Sequence, residues 1–196
     1  MEIPARKMRV LSASSPSTVA ETTEVLKGGG IVVYPTDTLY GLGADALNAE
    51  AVERVSQIKG RTGPWSIAVS NTKMLEQFCA IPKKHTLFVQ ENLPGPVTLI
   101  FPRGSEELAP ALFGESGTIG VRIPDHPIAT DMVRHLGRPV TSTSVNRTGE
   151  PALNNPDQIA KYFSSEVDLL LDAGTLPPSE GSTIFELTTE TRKRLR

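Results

Sequence analysis

A chain of 196 residues can build one sizeable hydrophobic core or at most two small ones, and 38% hydrophobic with 21% charged residues is the composition of an ordinary globular protein. Its formal net charge of −2 exerts no global pull toward nucleic acid or membrane, so any RNA contact has to use a local basic surface. The single cysteine excludes an intrachain disulfide and a Cys-rich metal site. With no signal-peptide core and no apolar run of membrane-spanning length, the chain reads as cytoplasmic.

Residues 1–15 carry no periodic pattern beyond a short strand near Met8–Leu11. Ser15 or Ser17 can cap a helix with Pro16 in its first turn and Val19, Thr22, Thr23 and Leu26 on its inner face. Gly28-Gly29-Gly30 ends it. A phosphate loop needs strand, glycines and helix in that order, and here the glycines follow a helix, so they read as cap and turn.

Ile31–Tyr34 is a buried strand that Pro35 should stop. The polar segment Thr36–Gly43 then lies at the carboxyl edge of the sheet, where open α/β folds bind ligands. Ala51, Val52, Val55 and Ile58 recur at helical spacing, with Asn48 as N-cap and Gly60 as stop, and this helix delivers Lys59 and Arg61 at its end. Ser66–Ser70 reads as a strand, Asn71 as the cap of a short helix bearing Met74, Leu75 and Phe78, and Pro82–Asn92 as another helix. Then come a strand at Val97–Phe101, a helix at Glu106–Phe113, a strand at Thr118–Ile123, a helix at Ile128–Leu136 and a short strand at Val140–Ser144. A helix from Pro156 through Phe163 and strands at Val167–Leu171 and Ser182–Leu187 complete the chain. Strands alternating with helices predict a single α/β domain over 1–196, its core about 16–196, on a twisted mixed sheet with parallel pairs, flanked by helices and with a ligand cleft at the strand ends.

The chemistry-bearing residues are cations and hydroxyls. Lys59 supplies a compact charge and Arg61 a planar fork, although taken alone both could be solvated helix-end charges. Arg122 sits between Val121 and Ile123 in an apolar strand and needs a buried anion, either a protein carboxylate or a ligand. Ser142 and Ser144 share one side of a strand, with Asn146 at its end. His85 and His135 read as surface positions, His126 as a loop-ordering residue and Cys79 as a buried, inert thiol. Neither metal-ligand spacing nor a Ser–His–Asp order is visible, so no metal site is expected.

The run Pro35-Thr36-Asp37-Thr38-Leu39-Tyr40-Gly41-Leu42-Gly43, the Lys59-Gly60-Arg61 turn, Pro94–Thr98, Val121–His126, Ser144–Gly149 and Gly181–Ile184 occur in an order that resembles the YrdC/TsaC family of threonylcarbamoyl-AMP synthases. The resemblance covers nearly the whole chain. It implies a nucleotidyltransferase making threonylcarbamoyl-AMP and pyrophosphate from L-threonine, bicarbonate (or carbon dioxide) and ATP, with Mg2+ carried by the nucleotide. A partner transferase would pass the product to tRNA, and contact with tRNA or double-stranded RNA is a family association.

By the same resemblance Lys59, Arg61, Ser144 and Asn146 surround the phosphates and carry catalysis. Thr38, Arg122, Ser142 and Ser182 hold threonine, and Thr118 and Arg196 face the nucleotide. A YciO-type paralogue with weak or different activity, an RNA-binding module and a carbamoyl-transfer domain of a hydrogenase-maturation protein are the alternatives. The chain departs from the family at Trp65-Ser66-Ile67, where a polar residue followed by proline and leucine is usual, and at Ser70, where longer members place a histidine. Trp65 is expected in the nucleotide loop, covering the adenine or packing over Arg61. Family members usually continue past Arg196, which implies a slightly shortened C-terminus, and the extra C-terminal domain of longer members is not expected.

Overall fold

The computed structural model describes residues 8–114 and 117–196, so the lead-in at 1–7 lies outside the described residues. The chain forms β1 (Arg9–Ser12), α1 (Thr18–Lys27), β2 (Val32–Tyr34), β3 (Gly41–Gly43), α2 (Ala49–Lys59), β4 (Ile67–Ala68), α3 (Thr72–Phe78), α4 (Thr86–Asn92) and β5 (Val97–Pro102). There follow β6 (Thr118–Arg122), α5 (Pro127–Leu136), β7 (Val140–Thr141), β8 (Thr143–Ser144), α6 (Pro156–Phe163), β9 (Leu169–Asp172), β10 (Thr183–Glu186) and β11 (Lys193–Arg194).

The α/β expectation holds, but the strands divide between two mixed sheets. One runs β1-β9-β2-β3-β8 and the other β11-β10-β5-β6-β4-β7. In the first, β9 pairs parallel with both β1 and β2, and β2–β3–β8 continue antiparallel. In the second, β10 pairs parallel with β5 and β4 parallel with β6. The segment expected as one strand at Val140–Ser144 is the seam between them. Val140 and Thr141 pair with β4 in one sheet, and Thr143 and Ser144 pair with β3 in the other. At the crossover the amides of Thr141 and Ser142 donate to Ala44 O (2.9 Å) and Ser66 O (2.7 Å).

Local signals account for most of the helices. The Asn48 side chain caps α2 by accepting from the Ala51 amide at 3.1 Å, and Gly60 closes it at φ 69°, a conformation that glycine adopts without strain. Asn71 caps α3 in the same way through the Met74 amide. On α1 the inner face is Thr18, Thr22, Thr23 and Leu26, with Val19 only partly covered. Thr18 takes that place because its hydroxyl reaches Ser12 O at 2.7 Å.

Three expectations need correction. The Gly41–Gly43 segment is a strand rather than a loop, although glycine is a poor strand former. The Tyr34 ring lies across it, and a Cβ at Gly41 or Gly43 would come within 2.9 Å of that ring. The helix expected over Glu106–Phe113 is only a short 3-10 turn at Pro110–Leu112, since Pro110 interrupts the pattern. His85 is buried at 5% exposure, its Nε2 3.0 Å from Thr189 O, whereas His135 is exposed as expected. Cys79 is buried, and burial pushes its thiol pKa up to about 12, so it is inert near neutral pH. Among the described residues no helix is long and apolar enough to cross a membrane.

A candidate anion-binding active site

A cavity of about 440 Å³ opens at the carboxyl end of β2, and its floor is the face of the second sheet. Alternate residues of β6 (Thr118, Gly120, Arg122) and of β5 (Thr98, Ile100) point into it, as the two-residue period of a strand requires. Thr36, Thr38 and Gly41 form one wall; Lys59, Arg61 and Trp65 form another; Ser142, Ser144 and Asn146 close the seam side. Gly120 keeps the floor open, because a Cβ there would sit 2.6 Å from Ser66 Oγ.

Among the described residues the lining has one charge sign: Lys59, Arg61, Arg122 and Arg196 border the cavity among serine and threonine hydroxyls, with no aspartate or glutamate beside them. Arg122 is offset by an ion pair with Asp37, but Lys59, Arg61 and Arg196 still make the hollow more favourable to an anion than the chain's overall charge of −2 would suggest.

Lys59 is 4% exposed, and its ammonium donates to Ser144 O at 2.7 Å and Asn146 Oδ1 at 2.6 Å. Ser144 Oγ donates to the same Asn146 oxygen at 2.6 Å, and Asn146 Nδ2 donates to Glu150 O. The three side chains are therefore locked as one unit. Burial, followed by repulsion from Arg61, lowers the Lys59 pKa to about 8. Arg61 is exposed, with Nη1 donating to Thr62 O and Gly63 O at 2.8 and 3.0 Å.

Arg122, 6% exposed, gives Nη1 to Thr38 Oγ1 at 3.0 Å and Nη2 to Asp37 Oδ1. Of the two anions considered for this arginine, a protein carboxylate is thus in place. Among the described residues its Nε and the second Asp37 oxygen are buried with no protein partner, as is Nδ1 of His126. Burial depresses the His126 pKa, against the opposing pull of Asp37 and Asp125. Thr36 Oγ1 lies 3.2 Å from Thr38 Oγ1 and accepts from the Thr38 amide, which fixes the hydroxyl loop.

Of the residues expected at the site, Thr38, Lys59, Arg61, Thr118, Arg122, Ser142, Ser144, Asn146 and Arg196 all border the cavity. Ser182 sits one layer behind, its hydroxyl 2.7 Å from that of Thr98. Arg196 is tethered through Nε to Ser182 O at 3.0 Å. Asp37, Thr36, Ser66 and Thr98 were missed. The period-two pattern in β5 could have found Thr98, and an arginine in an apolar strand already asked for Asp37.

Trp65 departs from expectation. It is 1% exposed and among the largest fully buried side chains, so it is a core residue. It nevertheless borders the cavity and carries the Arg61 guanidinium 4.1 Å from its ring centroid. The expected contact with Arg61 is present, while an exposed loop position is not. Among the described residues no three His, Cys, Asp or Glu side chains cluster to hold a metal ion.

The Sua5/YciO/YrdC family model, described as telomere recombination, matches residues 24–196. A Bacillus subtilis protein named threonylcarbamoyl-AMP synthase is 30% identical over 89% of this chain and 51% of its own length. The crystal structure of P. abyssi Sua5 complexed with L-threonine superposes with a TM-score of 0.85 at 31% identity, over 91% of this chain and 53% of that one. E. coli YciO superposes with a TM-score of 0.87 at 26% identity, over 97% and 94%. The chain thus spans about half the length of the first two and nearly all of the third. A match over most of its residues, with the same fold beneath it, makes this chain a member of the Sua5/YciO/YrdC family.

Proposed function

We propose that the chain is a threonylcarbamoyl-AMP synthase acting on L-threonine, bicarbonate and ATP. The observation that carries this reading is the cavity bordered by Lys59, Arg61, Arg122 and Arg196 together with serine and threonine hydroxyls, a receptor for several negative groups at once. The threonine amine takes up carbon dioxide from bicarbonate, releasing water and forming a carbamate. A carbamate oxygen attacks the α-phosphorus, the bond to the bridging oxygen of the β-phosphate breaks, and pyrophosphate leaves with that electron pair. Such a displacement needs alignment and charge stabilisation rather than a protein nucleophile.

Lys59, Arg61, Ser144 and Asn146 serve the phosphates, and Thr118 and Arg196 the nucleotide. Arg122 borders the cavity and would draw the threonine carboxylate, with Thr38 and Ser142 around the amino acid and Ser182 behind Thr98. Mg2+ would arrive on the ATP phosphates, since among the described residues the wall of cations and hydroxyls offers it no carboxylate cage. The product would pass in the cytoplasm to a transferase that modifies tRNA. The likeness to E. coli YciO over 94% of that chain favours, as a second reading, a paralogue of different activity.

Pyrophosphate release from ATP should require both threonine and bicarbonate. Serine lacks only a methyl group, so it should be discriminated against by about 1–3 kcal/mol. Pyrophosphate release independent of the amino acid would refute the synthase reading and favour the paralogue.

A further inference from the structure

Trp65 is the only tryptophan in the chain. Its Nε1 donates to Ser56 Oγ at 3.0 Å, which fixes the indole plane against α2. One face of the ring is covered by the Arg61 guanidinium at 4.1 Å, and the residue as a whole is 1% exposed, so no open face remains on which a base could stack. Arg61 is an exposed residue, yet its guanidinium is held from two directions: Nη1 is drawn back onto Thr62 O and Gly63 O, and the Trp65 ring lies beneath its Cζ. Among the described residues no acceptor engages its Nε or Nη2.

A carboxylate could order this arginine only by consuming its donors and offsetting its charge. An aromatic face attracts the cation through the ring quadrupole and leaves the N–H groups at the edge of the plane untouched. Ordering a long side chain in advance also removes that entropy cost from ligand binding.

We infer that Trp65 is a positioning residue for Arg61, holding its guanidinium stacked at the cavity rim with Nε and Nη2 left to receive phosphate oxygens; this rests on the nucleotide-binding reading above.

The lone tryptophan makes the stack directly observable. Arg61→Ala uncovers one ring face to water, so the emission maximum should move to the red in the absence of any ligand. An unchanged spectrum would overturn the stack itself. ATP affinity by calorimetry then tests what the stack is for. Trp65→Phe keeps an aromatic face and Trp65→Leu does not, while both remove the indole from the same pocket and share a similar packing loss. Trp65→Phe should bind ATP within about twofold of the wild type, and Trp65→Leu about three- to thirty-fold more weakly. Equal losses in the two variants would make the ring a packing element only. Failure of the wild type to bind ATP would overturn the nucleotide reading and Arg61's part in it, while the red shift in the Arg61→Ala spectrum would still appear, which tells the two failures apart.

Discussion

Replacing Arg122 with leucine should lower the unfolding free energy by about 3–5 kcal/mol, because it strands the Asp37 carboxylate in a nearly dry wall. The two side chains are 7% and 11% exposed and bonded to each other, so neither can recover water without local opening. Thr38 loses its donor at the same time. Adding Asp37→Asn should restore part of the loss, since the remaining group is then neutral. Denaturant unfolding of the single variants and the double variant gives the coupling. A loss below about 1 kcal/mol in Arg122→Leu would mean that Asp37 turns out to solvent, and the pair would then be no fixed part of the wall.

Lys59→Met should reduce pyrophosphate release by about a hundred- to a thousand-fold, the scale of removing one charge-stabilising donor. The folded state should tolerate the change, because the burial cost of the ammonium disappears along with its two hydrogen bonds. Full activity in a folded Lys59→Met protein would reduce Lys59 to a strut between α2 and the Ser144–Asn146 segment. The pH profile separates charge from strut in the wild type. With a pKa near 8, the ammonium is present below that pH and is lost as pH rises through it. ATP affinity should therefore weaken above about pH 8. In Lys59→Arg the charge persists, and the alkaline weakening should vanish even if the geometry is poorer. An identical alkaline limb in both proteins would assign the titration to another group.

Legibility in the sequence followed the range of the forces involved. The caps at Asn48, Gly60 and Asn71 depend on the chain within a few residues and were read correctly. The hydroxyl loop and the cation pair were likewise visible as a strand end facing a helix end. Features that depend on distant partners were not visible. Gly41–Gly43 is a strand because a ring from the neighbouring strand lies on it, and nothing local says so. His85 is covered by Thr189, 104 residues away. The Arg61 contact of Trp65 lies four residues away and was legible, but the burial of the ring and its bond to Ser56, nine residues back on α2, were not. Arg122 announced its need for an anion, but only the fold brings Asp37 to it across 85 residues. The strand expected at Val140–Ser144 was real in its residues, but its division between sheets is set by which edges are free to pair.

That division also sets how the molecule comes apart. Five consecutive residues, 140–144, hold an edge of each sheet, and the last three of them, Ser142, Thr143 and Ser144, border the cavity. A chain whose layers were joined by a loose loop could melt one layer and keep the other. Here the Thr141 amide is spent on Ala44 beside β3, across to the other sheet, so peeling either sheet disturbs the other at the site itself. The two sheets should therefore unfold as one cooperative unit, with the cavity lost together with the last of the core under denaturant.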